Sequence, residues 1–290
     1  MTATFVGLTA IIFWSCLALL TAASGAVPPF QLAAMTFAVG GALGLIATIA
    51  RGRLPALRQS WPVWAIGIGG LFGYHALYFA ALRAAPPAQA GLIAYLWPLL
   101  IVLFSAALPS ETLTRRHIFG ACLGLAGVVV LIVGGQEEGV AFDPRFSLGY
   151  ALAFACAFVW SSYSVLSRRM KDVPTDAVAG FCLATAGLAA VAHLFFETTV
   201  WPSTTGQALA IVCLGIGPVG LAFYAWDFGV KRGDIKTLGV ASYAAPVLST
   251  LVLVACGFAS ATPSLALACV LIMSGAVVAT IKRPMRVSAR

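Results

Sequence analysis

Charge is what this sequence has least of. Only 9% of its 290 residues are Asp, Glu, Lys or Arg, while 61% are hydrophobic. A soluble domain carries about 25% charged residues, so a water-facing surface cannot be assembled from so few. Acids are scarcer still. Glu111, Glu137, Glu138, Asp143, Asp172, Asp176, Glu197 and Asp234 fall in connections or at the ends of apolar runs. Asp227 lies about one turn inside a run, four residues before Lys231, the spacing of a helix-end ion pair. A mid-membrane charge costs at least about 2.5–3.5 kcal/mol on insertion scales and marks function by default. No carboxylate occupies such a position, which argues against export of lipophilic cations.

Catalytic signatures are also missing. There is no HExxH, no GxSxG, no phosphate-binding glycine loop and no pair of intramembrane carboxylates. No cofactor or metal is implied. The seven cysteines (Cys16, Cys122, Cys156, Cys182, Cys213, Cys256 and Cys269) form no CxxC pair and lie inside apolar runs. They read as small buried packing residues. The net charge of +8 comes from Lys and Arg in short connections, with no basic stripe among exposed aromatics. Nucleic acid is therefore not an expected partner.

Long apolar runs are what the chain does have. Ten are counted, at roughly 3–22, 30–50, 62–84, 88–108, 115–134, 147–168, 175–196, 206–230, 235–257 and 261–281. Each matches a bilayer core about 30 Å thick. The short alternating segments of a barrel are absent. The first run, Phe5 to Ala23, lacks a basic leader and has a counterpart later in the chain, so it reads as a retained helix. The expected fold is all-α, with ten transmembrane helices.

The chain also repeats itself. At an offset of 148, Gly67 and Gly69 fall on Gly215 and Gly217, Tyr78 on Trp226, Arg83 on Lys231, Tyr95 on Tyr243, Pro98 on Pro246 and Gly127 on Gly275. At 146, Trp14-Ser15 falls on Trp160-Ser161, Pro28 on Pro174 and Gly41 on Gly187. A fixed offset is the signature of an internal repeat. Residues 1–136 form one five-helix copy, 147–281 the other, and 282–290 a basic tail. Five is odd, so the second copy enters the membrane from the opposite side. Inverted repeats of this kind place a substrate site at their interface near the midplane. Fifteen of the 17 Lys and Arg residues lie on the side of the N-terminus, with only Arg83 and Arg145 opposite. Both termini are thus expected in the cytoplasm.

Polar-tipped aromatics supply the candidate site. Trp61, Trp64 and Trp201 begin runs and read as interfacial anchors. Tyr74, His75, Tyr78, Tyr95, Trp97, Trp160, Tyr163, Tyr224 and Tyr243 lie deeper. Taken singly, packing explains each of them. Spread over runs three, four, six, eight and nine, they describe one cavity, apolar with a few polar tips and suited to an organic molecule rather than a bare ion. Pro98 and Pro246 occupy matched mid-run positions, where proline frees a carbonyl and bends a helix. They are the expected hinges. Gly40-x3-Gly44, Gly69-x3-Gly73 and Gly120-x3-Gly124 mark close helix packing.

Several motifs resemble the EamA-type drug/metabolite transporter superfamily. They are Phe13-Trp14-Ser15, the Gly67 to Pro98 hairpin, Glu111-x-Leu113-Thr114 and Gly120-x6-Gly127. Ala94-Tyr95-Leu96-Trp97-Pro98 is similar to the YddG-type aromatic amino acid exporters within it. The resemblance implies a basket-like bundle around a central cavity, exporting amino acids across the bacterial inner membrane. It covers nearly the whole chain, with one departure: Ala259 stands where a second copy of Glu111 would fall.

The reading is a secondary carrier in the lipid bilayer that exports amino acids, aromatic ones included, and related metabolites as small-molecule substrates by alternating access. A monomer would suffice, and the sequence leaves the oligomeric state open. The carrier works by facilitated diffusion or by weak proton linkage through His75. A drug or nucleoside exporter is the alternative in the same class. A membrane enzyme or receptor is the alternative in another.

Overall fold

The computed structural model describes residues 1–109, 111–136 and 139–280. All regular structure among them is helical. Ten helices are long and apolar enough to cross a membrane. They are α1 (Thr2–Ala23), α2 (Pro29–Ala50), α3 (Trp61–Ala84), α4 (Pro87–Ala107), α5 (Arg115–Val133), α6 (Pro144–Arg169), α7 (Ala177–Phe196), α8 (Thr205–Arg232), α9 (Ile235–Ala255) and α10 (Pro263–Thr280). Each falls within a few residues of the run read from sequence. Glu137, Glu138 and the basic tail at 282–290 lie outside the described residues.

The exterior explains the composition. Phe5, Ile46, Leu194, Phe195, Phe258 and Met273 are exposed on it, large apolar side chains that suit contact with lipid rather than water. Inside hydrocarbon every backbone group must be satisfied within its own helix, which is why apolar runs of this length fold as helices. The protein is a multi-pass membrane protein. Cys156 and Cys182 are buried as expected, but Cys122, Cys213 and Cys256 are exposed. The sequence misplaces these three because lipid-facing and buried positions are equally apolar. Trp61, at the start of α3, and Trp201, in the connection before α8, are exposed, whereas Trp64 packs edge-on against Phe181 at 5.4 Å.

Hydrogen bonds between connections show how the helices alternate. At one end Thr4, just inside the N-terminus, accepts from the Asp234 amide in the α8–α9 turn. At that same end Arg168, closing α6, reaches Glu111 in the α4–α5 connection. At the other end Glu197, closing α7, meets Arg83 of α3 and the first amides of α2. Gln89, opening α4, donates there to Ala141 just before α6. So α1 begins at one end of the bundle and α6 at the other.

Helix contacts respect the exchange of the two halves. α2 packs on α7 and α5 on α10, and each pair maps onto itself. The α1–α8 contact maps onto α6–α3, and α4–α6 onto α9–α1. Glycine permits the α5–α10 approach: a Cβ on Gly120 would lie 2.5 Å from the Gly275 carbonyl, and one on Gly275 the same distance from that of Gly120. Gly40 meets Gly220 of α8 in the same way, but a Cβ on Gly69 would enter open space.

The role of Gly69 is different. Residues Gly69–Gly73 of α3 and Gly217–Leu221 of α8 wind as π-helix. The two segments are 148 residues apart, the repeat offset. A π turn leaves a helix locally wider and its backbone less regularly paired, and such turns gather at functional sites. Here the Trp14 indole takes up one carbonyl from the second segment, that of Pro218, at 3.1 Å.

Candidate functional site

A cavity of about 710 Å³ lies between α1, α2, α3, α4, α6, α8 and α9. Its floor is aromatic. Trp14, Trp97 and Trp160 lie with ring centroids 5.9 to 6.3 Å apart, mostly edge-to-face. Trp226 closes the floor from below, 5.2 Å from Trp14 and fully buried, its indole donating to Ser164 at 3.1 Å. Such tilted and edge-on pairs are the favoured arrangement of quadrupolar rings, worth about 0.5–1.5 kcal/mol each beyond simple burial.

The walls carry the polar tips. Tyr74 and Tyr78 are one turn apart on α3 and stack, 6.0 Å apart and 6° from parallel. Tyr95 stands across from them on α4, in the same lining. The His75 ring is boxed by Phe37, Tyr74, Phe79 and Phe223. Its Nδ1 is 2.7 Å from the Leu71 carbonyl. A carbonyl only accepts, so Nδ1 carries the hydrogen and Nε2 of the neutral ring is left as an acceptor. Among the described residues no Asp, Glu, Lys or Arg lines the cavity. The lining reaches Ser24, Gly25 and Val27 in the α1–α2 connection. The cavity therefore opens at the end of the bundle opposite the N-terminus.

The end on the N-terminal side is closed by charge. The Glu111 carboxylate takes Arg168 at 2.8 Å and Lys236 at 2.5 Å. Arg168 also donates to the carbonyls of Val230, Lys231 and Gly233. Lys231 pairs with Asp227 at 2.8 Å, each side chain 2% exposed, and Thr175 donates to the same carboxylate at 2.8 Å. These bonds tie the α4–α5 and α6–α7 connections to α6, α8 and α9 beneath the tryptophan floor. The Asp227–Lys231 pair forms at the spacing the sequence suggested. The bridging position of Glu111 was not visible, because its partners are 57 and 125 residues away.

Six of the nine expected site aromatics meet in this cavity: Tyr74, His75, Tyr78, Tyr95, Trp97 and Trp160. Three do not. Tyr163 lies behind Trp160, its ring seated against Gly70. Tyr224 donates to the Gly40 carbonyl at 3.2 Å and lines a separate groove. Tyr243 is fully buried, and its hydroxyl accepts the Leu99 amide at 3.2 Å. That bond bears on the prolines. α4 is broken at Tyr95–Leu96, just before Pro98, and α9 at Ser242–Tyr243, just before Pro246. Proline cannot donate to the preceding turn and its ring crowds it. The hydroxyl of Tyr243 takes up the amide beside the first break.

Comparison with known proteins decides the family. The EamA-like transporter family matches residues 1–133 and again 147–281. This chain belongs to the EamA-like transporter family. A relative from Ancylobacter novellus, named aromatic amino acid exporter YddG, is 61% identical over 280 residues, covering 96% of this chain and 97% of its own length. A protein of that name from Salmonella typhimurium is 28% identical over 86% of each chain. A solved crystal structure superposes with a TM-score of 0.93 at 61% identity over 96% of both chains.

The two-repeat membrane fold of the EamA family makes sense of what was missed. Trp14, Phe37 and Phe223 belong to the cavity, and Trp226 lies under it, four rings beyond the nine site residues expected from sequence. Trp14 is the repeat mate of Trp160, and Trp226 that of Tyr78. Taking the mates of chosen residues would have found both.

Proposed function

We propose that this EamA-family transporter exports amino acids, aromatic ones among them, from the bacterial cytoplasm by alternating access of the central cavity. The cavity itself carries the reading. It has the size of a small-ligand site, a tryptophan floor for a flat apolar side chain, and hydroxyl and imidazole tips for the ends of a zwitterion. It is open at one end and shut at the other by the Glu111 and Asp227 networks. The naming of the Ancylobacter novellus relative supports this substrate class. The opposite ends at which α1 and α6 begin support two inverted repeats, 1–136 and 147–281, whose exchange would open the other end. Pro98 and Pro246, beside matched helix breaks, are the hinges of that motion. The Lys and Arg excess on the N-terminal side supports cytoplasmic termini in the inner membrane, so the open end faces the periplasm. A single chain encloses the whole cavity, which suits a monomer.

Accessibility tests this. In a cysteine-free background, Tyr78→Cys is expected to react in intact cells with a membrane-impermeant maleimide, and tryptophan should slow the reaction. Absence of labelling from either face would oppose a carrier. A cysteine that labels but ignores every amino acid would move the substrate to another class.

Among the described residues no carboxylate lines the cavity around His75, which favours facilitated diffusion over proton coupling. A proton on the imidazole would have no counter-ion in the cavity. Flux is therefore expected to vary less than about twofold across the pH range in which histidine ordinarily titrates, in wild type and in His75→Gln alike. A steep pH dependence that His75→Gln abolishes would establish coupling instead.

A further inference from the structure

We propose that a groove between α2 and α8 binds one anionic phospholipid from the leaflet on the N-terminal side. The groove, about 620 Å³, shares no lining residue with the central cavity. Its deep end is apolar and open sideways: Leu43 and Ile216 line it and remain 45% and 39% exposed on the outer surface of the bundle. Its other end is lined by three arginines, Arg51, Arg53 and Arg232. At a helical rise of about 1.5 Å per residue, Gly40 lies about 16 Å deeper than Arg51. The groove is thus a long apolar channel with a cationic head. That shape fits an acyl chain below a phosphate, where a small soluble anion would fill only the head. Basic pockets between transmembrane helices take up anionic headgroups by this complementarity.

The head is organised rather than merely basic. Asp176, buried, holds Arg51 at 2.7 Å and Arg53 at 3.3 Å, while both arginines stay more than half exposed. Asp172 lines the head as well, so three arginines face two aspartates and one positive charge is left over. Arg232 lies over the Phe228 ring at 4.8 Å. Among the described residues it has no carboxylate within ion-pair distance. Tyr224 forms part of the wall, its hydroxyl on the Gly40 carbonyl. This gives Tyr224 a place outside the transport cavity.

Native mass spectrometry of the protein released from nanodiscs of mixed phosphatidylglycerol and phosphatidylcholine tests the assignment. Wild type should retain one phosphatidylglycerol, preferred about tenfold or more over phosphatidylcholine. Two variants should lose that preference. Arg51→Gln/Arg53→Gln/Arg232→Gln removes the charge, and Ala47→Trp fills the groove from an exposed position while keeping every charge. Arg115→Gln, at the start of α5 and outside the groove lining, should keep it. If the triple variant does not fold, Arg232→Gln alone should weaken retention, since it breaks no ion pair. Unchanged retention in the Ala47→Trp variant would overturn the proposal. So would displacement of the lipid by inorganic phosphate, which would make the head a site for free anions.

Discussion

Trp97→Ala should lower the rate of aromatic amino acid export about tenfold or more. The ring is 6% exposed and touches Trp14, Trp160 and Trp226 at centroid distances of 6.2, 6.3 and 6.0 Å. Three such contacts at about 0.5–1.5 kcal/mol each fix the ring in the floor, and a tenfold loss of rate needs only ~1.4 kcal/mol of lost substrate stacking at the barrier. The loss has two routes. The floor no longer offers a flat surface to a substrate ring, and the void between α1, α4 and α6 lets the remaining tryptophans tilt. Trp97→Phe keeps a smaller ring in place and should retain a measurable share of the flux. Initial rates in proteoliposomes, with size-exclusion profiles to show folded protein, measure both. Wild-type flux in a well-folded Trp97→Ala protein would remove the floor from the binding site.

The second large effect is expected at the closed end. Glu111→Gln withdraws the carboxylate that Arg168 and Lys236 share, and these cations are only 21% and 10% exposed. Removing one member of a buried ion pair costs about 3–5 kcal/mol, because the partner is left desolvated and unpaired. Here that cost falls on the packing that shuts the end on the N-terminal side, so the closed end should open more often. Leu238, fully buried on α9 near this network, is a suitable reporter. In a Leu238→Cys protein free of other cysteines, Glu111→Gln should speed labelling by a small maleimide about tenfold or more. Equal labelling rates with and without Glu111 would show that the network does not hold the end closed.

Much of this fold was legible in the residues. Ten apolar runs and sparse charge require ten helices, since hydrocarbon leaves the backbone no other partner. The offset of 148 goes further than the helix ends do. It pairs Pro98 with Pro246, and the structure breaks both helices just before them. It also pairs Gly69 with Gly217, and both open π-helical turns that no apolar pattern announces. The site was legible only in part. Periodicity places a tyrosine on a helix face without saying which neighbour that face meets. Tyr95 and Tyr243 are repeat mates, yet one lines the cavity and the other bonds the Leu99 amide. Tyr74 and Tyr78 were recoverable because i and i+4 share a face and His75 adjoins them. The Glu111 network was not, because its partners come from distant helices and no local spacing encodes them.

The most direct measurement is efflux of labelled tryptophan from proteoliposomes holding the purified protein. Flux well above protein-free vesicles, competed by phenylalanine and tyrosine but not by lysine or glutamate, is the expected result, since among the described residues the cavity holds no charge to pair with a charged side chain. No flux of any amino acid, from vesicles shown to contain folded protein, would contradict amino acid export and leave an EamA-family carrier of some other uncharged organic molecule.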